Sequence, residues 1–194
     1  PAGRVEDLLS VGFQVAEAIV DRVPAVQRRR AGQFLNRIVE HLNEPENDIA
    51  LRIRSDPRVA RVVWDALSAA YLADFDSKVE ALARVASLGV RDTALVDEAR
   101  YKIGVIASLE AIHVRLLLAL ETELKRDPRN YPKVASLLPV SEGLAQGLCA
   151  DLLRLALVEA AGLSFRGLHS QVRLSAFGQE ILRFLRDDDW RLDS

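Results

Sequence analysis

The sequence predicts a mainly all-α chain: an antiparallel helical bundle followed by a small C-terminal module that contains a short β-hairpin. Three observations carry this prediction. Ala, Leu, Val and Arg dominate, and aromatic residues make up only 6% of the 194. That composition suits helices and would serve a β-sandwich badly. Apolar residues recur at three- and four-residue spacing along most of the chain, the period of a helix with one buried face. Only near "ALVEAAG" and "SQVRLSA" does the pattern turn ambiguous or alternate, as a short strand would.

Residues 5–23, "VEDLLSVGFQVAEAIVDRV", put Leu9, Phe13, Ala16, Val20 and Val23 on one stripe. Pro24 interrupts it, because an internal proline removes a helix hydrogen bond and clashes with the preceding turn. A second helix runs over 25–43 with Phe34, Leu35, Ile38, Val39 and Leu42 on one side, and "NEPEND" at 43–48 reads as a loop. Ser55 or Asp56 caps the next helix, Pro57 fits its first turn, and Val59, Val63, Ala66, Leu67 and Ala70 form its inner face, flanked by Trp64 and Tyr71. A helix over 76–88 follows, with Val79, Leu82, Ala83 and Ala86 inward and Gly89 placed to end it in the left-handed region. Asp92 or Thr93 starts "ALVDEARYKIGVIA", and Ser108 is expected to cap "LEAIHVRLLLALETELKR", which stops before Pro128.

"DPRNYPK" at 127–133 is rich in turn residues and marks the expected boundary between a helical domain, 1–128, and a second domain, 129–194. Beyond it, "VASLL" is a short helix at most, and Ser141 caps a helix near 142–155. Val172 and Leu174 alternate with polar neighbours, and Ser175 caps an amphipathic last helix carrying Phe177, Ile181, Leu182, Phe184 and Leu185.

The stretches "GLAQGLCADLLRLALVEAAGL" and "VRLSAFGQEILRFL" resemble a bacterial winged-helix module. Gly162 and Leu163 match the Gly-Leu that follows its helix, and Leu174, Ser175 and Gly178 match the turn that opens its last helix, with Ser in place of Thr. The resemblance covers about 60 residues and implies a winged-helix-like fold for 129–194 more than any activity. The pieces "RRAGQFLNRIVEHL" and "FDSKVEALARVASLGV" resemble uncharacterised bacterial helical proteins in which such a module follows.

A winged helix that reads DNA places its second helix in the major groove and needs Arg, Lys, Asn or Gln there. Here that helix offers Glu142, Gln146, Asp151 and Arg154, a poor set. The wing is better supplied, with Arg166, His169 and Arg173, and Arg129 and Lys133 are expected to lie near it in the fold. The densest basic run is "QRRRAGQFLNR": Arg28, Arg29 and Arg30 fan around a helix, and Arg37 shares a face with Arg30. Each set is a candidate nucleic-acid or anion contact. The alternative for each is a solvated charge, paired on the basic helix with acids such as Asp21 and Glu40. In the tail "RDDDWRLDS", Trp190 is a candidate partner contact.

The net charge of −2 gives no general support for nucleic-acid binding. His41, His113 and His169 stand far apart, without metal-ligand spacing, and His113 reads as a structural histidine on an apolar face. Acid pairs such as Asp97 with Glu98 and Glu121 with Glu123 sit where solvated helix faces carry them. No Gly-rich phosphate loop, nucleophile elbow or Cys/His cluster occurs, so no catalytic residue, cofactor or metal is expected. Cys149, the one cysteine, lies in an apolar helix and reads as a buried thiol in a reducing compartment. No stretch approaches about 18 apolar residues, so no membrane span is expected. The sequence contains no Met, from which we expect a trimmed N-terminus. The expectation is a cytoplasmic, non-enzymatic interaction or assembly protein that self-associates. The alternative is a DNA-binding transcription regulator using the wing and the basic helix.

Overall fold

The computed structural model describes residues 25–127, 132–160 and 171–186. Of these, 79% are helical, and the remainder includes one two-stranded antiparallel sheet. The predicted class, a helical bundle with a small hairpin, is the class observed. The described residues fall into two compact units, one drawn from Pro1–Ser108 and Phe184–Ser194, the other from Leu109–Arg183. The stretch 127–133, which the sequence marks as a boundary, therefore lies inside the second unit, and its residues 128–131 are outside the described ones.

Among the described residues the first unit begins with α1 (Ala25–Leu42); the helix predicted over 5–23 lies outside them. It ends on Asn43, whose φ of 51° is the left-handed cap geometry that Asn tolerates. The expected loop at 43–48 is shorter than predicted, because α2 (Glu46–Ser55) starts inside it. Pro45 occupies its N-cap, Glu46 and Asp48 fill its first turn, and Arg52 and Arg54 its last, so every charge opposes the helix dipole favourably. Asp56 then caps α3 (Pro57–Tyr71) by accepting from Arg58 N at 2.8 Å, with Pro57 in the first turn as predicted. Val59, Val63, Ala66, Leu67 and Ala70 are all buried, joined by Val62.

Helix α4 (Asp76–Arg91) runs past its predicted end, and Gly89 lies within it instead of capping it. A Cβ on Gly89 would stand 3.2 Å from Val62 Cγ1 and 3.3 Å from Ala99 Cβ. The glycine is thus there for close helix approach, a role that sequence position alone does not separate from capping. Helix α4 packs against α1, α3 and α5 (Val96–Ala107), and only Arg84 and Leu88 between Ser77 and Val90 escape full burial. Asp92 opens the intervening 3-10 turn, Thr93–Leu95, by accepting from Ala94 N at 2.9 Å.

The second unit starts with α6 (Ala111–Arg126). Ser108, the expected cap, instead turns its hydroxyl back to the Gly104 carbonyl at 2.8 Å. The cap is Glu110, in a reciprocal box with His113, whose Nδ1 accepts from Glu110 N at 3.1 Å. A short α7 (Val134–Leu137) precedes α8 (Glu142–Arg154), which Ser141 caps. Helix α8 ends in a Schellman-type pair of bonds, Leu157 N to Leu152 O and Ala156 N to Leu153 O, both 2.9 Å. Ala156 takes the left-handed position, with φ 57°. Strand β1 (Val158–Ala160) resolves the ambiguous "ALVEAAG" as a strand, pairing with β2 (Val172–Leu174) in the register Val158 to Leu174. Lys133 and Gln171 add an isolated antiparallel bridge beside this pair.

Ser175 joins the hairpin to α9 (Ala176–Leu185). Its Oγ donates to Ala156 O at 2.7 Å and accepts from Gly178 N at 2.8 Å. Gly178 has no room for a side chain: a Cβ would come within 2.1 Å of the Leu157 carbonyl oxygen. Leu174 is buried as expected, while Phe177 is half-buried. No single described helix is long and apolar enough to cross a membrane.

Candidate functional site

On the basic helix α1, part of the arginine set has partners within the unit. Arg29 is exposed, and Arg28 lies in the helix. The Arg30 guanidinium, however, donates to the Ala73 carbonyl oxygen. Arg37 pairs with Glu40 at 2.9 Å and reaches Glu80 on α4 at 3.1 Å. Two of the four candidate arginines are therefore engaged within the unit.

Glu80 is a node that sequence reasoning missed. Its side chain is 7% exposed, yet it gathers Arg37 Nε at 3.1 Å, His41 Nε2 at 2.8 Å and Arg84 Nε at 2.8 Å. Of these three, the Arg84 contact is aligned as a hydrogen bond, whereas His41 Nε2 and Glu80 Oε2 are close to charge without such alignment. The carboxylate needs the Arg37 and Arg84 guanidiniums, because a buried charge without partners is strongly unfavourable. The signal for it was faint: one acid in the Ala-rich run "VEALARVA", next to positions read as buried.

On the hairpin, Arg173 is bound to Glu159 directly across the strands, through Nε at 3.0 Å and Nη2 at 2.7 Å. Opposite charges at facing positions stabilise a two-stranded pair. Arg166, His169 and Trp190, the other wing and tail candidates, lie outside the described residues, as does Arg129. Lys133 is exposed at the bridge to Gln171. The described α1 candidates belong to the first unit, and Lys133 and Arg173 to the second.

Of the three histidines, His169 lies outside the described residues. His41 belongs to the Glu80 node, and His113 to the cap of α6. His113 Nδ1 accepts the hydrogen bond from Glu110 N, so the ring hydrogen sits on Nε2, which is buried with no hydrogen-bond partner. The nearest carboxylate oxygen is Asp151 Oδ2 on α8, at 3.7 Å. Among the described residues, no group of three or more His, Cys, Asp or Glu is placed to hold a metal ion. Cys149 is fully buried, and that burial pushes its thiol up to about 11, where it is protonated and unreactive at neutral pH.

Another surface of the second unit is the outward face of α8. Its inner face, Ala145, Leu148, Cys149 and Leu152, is buried. Outward lie Glu142, Gly143, Leu144, Gly147, Ala150, Asp151 and Arg154. Leu144 is 46% exposed, and space is open above both Gly143 and Gly147. Arg154 stands 3.9 Å from Asp151, so the one cation on this face has an acid beside it. A face of glycine, alanine and one leucine between two acids and an arginine has the chemistry to meet another polypeptide closely. It has little with which to read a base pair.

Comparisons with protein-family models, with curated proteins and with solved structures gave no match.

Proposed function

We propose that this chain is a non-enzymatic interaction or assembly protein, cytoplasmic in setting, whose second unit is a winged-helix-like module that engages protein through the outward face of α8. The observation that carries the reading is the composition of that face: Gly143, Leu144, Gly147 and Ala150 exposed, with Arg154 beside Asp151. The winged-helix assignment is supported by element order. Helix α6, the Lys133 bridge position, α7, α8, β1, β2 and α9 follow one another as helix, strand position, helix, helix, hairpin and helix. The hairpin is closed by the Ser175 contacts to Ala156 and Gly178. The cytoplasmic setting rests on the single buried thiol.

The same element order favours one second reading, a DNA-binding transcription regulator. Against it stand the pairing of Arg173 with Glu159 and of Arg37 with Glu80. A mobility-shift assay with random duplex DNA at low salt separates the two. We expect no shift at micromolar protein. A salt-sensitive shift that disappears in Arg154→Ala or in Arg173→Ala overturns the interaction reading, because phosphate binding would then run through this module.

A further inference from the structure

We infer that the partner of the α8 face is a second copy of the same chain, docked antiparallel about a twofold axis close to the middle of α8. This rests on the interaction reading above and names its partner. The argument is the charge order of the helix. Glu142 is its first residue and Arg154 its last, about 18 Å apart at 1.5 Å per residue. A twofold axis maps a surface onto itself, so each patch must complement its own inverse. Antiparallel α8 helices meet that condition. Glu142 of one copy faces Arg154 of the other at both ends, and the two helix dipoles oppose. Between the ends, Gly147 of one copy falls against Ala150 of the other, where the open space over Gly147 lets the backbones approach. Leu144 lies against the aliphatic stem of the opposite Arg154 and leaves water.

A second observation points the same way. The His113 side chain is 9% exposed, and its Nε2–H is buried with no hydrogen-bond acceptor. Asp151 Oδ2 stands 3.7 Å away, just beyond hydrogen-bond reach, and Arg154 Nη2 stands 3.9 Å from Asp151 Oδ1. With Arg154 drawn to Glu142 of the second copy, the Asp151 carboxylate shifts onto His113 and satisfies a buried donor that the single chain leaves open, a favourable change.

Sedimentation equilibrium of the full chain tests this, with circular dichroism confirming that each variant is folded. One helix pair sits at the small end of stable interfaces, below about 1,200 Å², so the dimer is expected in the micromolar range. Glu142→Arg and Arg154→Glu each weaken it by roughly tenfold or more, and the double exchange recovers it to within about threefold. In parallel, the His113 ring N–H, followed by nitrogen-15 NMR, exchanges more slowly with solvent in the dimer than in Glu142→Arg. A chain monomeric up to about 1 mM, or a dimer indifferent to both reversals, overturns the inference. Either result with DNA still unshifted leaves the interaction reading standing. A DNA shift lost on Arg154→Ala overturns that reading and this inference together.

Discussion

The two units bury their polar side chains for different purposes. Among the described residues, the first unit buries Ser77, Lys78, Glu80, Ser87 and Lys102, and the second buries His113 and Ser175. In the first, Lys78, Ser87 and Lys102 have partners four residues away, at Asp74, Ala83 and Glu98, while Glu80 on α4 ties helix to helix by meeting Arg37 and His41 on α1. In the second, both groups finish helix ends, His113 in the cap of α6 and Ser175 in the cap of α9. The difference follows from the apolar residues available. Helix α4 meets its neighbours through Ala81, Ala83, Ala86 and Gly89 as well as Val79, Leu82, Val85 and Val90, and the small residues among them do little to fix a register. A buried ion pair sets that register at a cost in desolvation. The second unit has Leu148, Leu152, Leu157, Leu174 and Leu182 in its core and gains its definition from turn geometry instead.

Four measurements break or sharpen this contrast. The largest effect is expected for Glu80→Ala, which leaves Arg37, Arg84 and His41 without their shared anion. Chemical denaturation should show a loss of about 3–5 kcal/mol, and a loss below 1 kcal/mol would mean that the node does not hold α1 to α4. Next is Gly178→Ala. Its Cβ meets a backbone carbonyl that cannot move aside cheaply, so we expect a loss of about 3 kcal/mol, with the Glu80 node unaffected and the two losses additive.

Cys149 offers the third test. Its pKa is raised by burial in the folded state, from 9.0 to about 11, so the unfolded chain gives up the proton first as pH rises. Stability contributed by the neutral thiol is complete below about pH 9 and is lost between there and pH 11, to the extent of about 2 kcal/mol. Cys149→Ala should flatten that alkaline limb, measured as Tm against pH. The smallest effect runs the other way. Ala156 holds a left-handed φ that glycine adopts freely, so Ala156→Gly should raise stability by about 0.5–1 kcal/mol. A loss of stability there would show that its methyl group matters more than its backbone strain.

Much of the fold was legible because the signals were local. Asp56 with Pro57, Ser141 and Ser175 are capping residues whose action needs only the next three residues, and these three cap the helices expected of them, whereas Asp92 caps the 3-10 turn that precedes its helix. What failed was non-local. Gly89 reads the same whether it ends a helix or admits a neighbouring one, and only the position of Val62 and Ala99 decides. Ser108 lost its capping role to Glu110 because His113 completes the box, a partnership that requires a histidine where glutamate is the usual reader. The site was legible in part. The acids and lone arginine of 142–154 were visible in sequence, whereas the exposure of Gly143, Leu144, Gly147 and Ala150 on one side required the packed unit. The engagement of Arg37 by Glu80 spans 43 positions and could not be read locally.

Helix α4 has a consequence for the order of events in folding. A helix enclosed by α1, α3 and α5 cannot be added last to a finished shell. Its amides must be sequestered early and released only when the unit opens as a whole. Native-state hydrogen exchange should therefore find its slowest protons between Val79 and Val90, with protection equal to the full unfolding free energy of that unit.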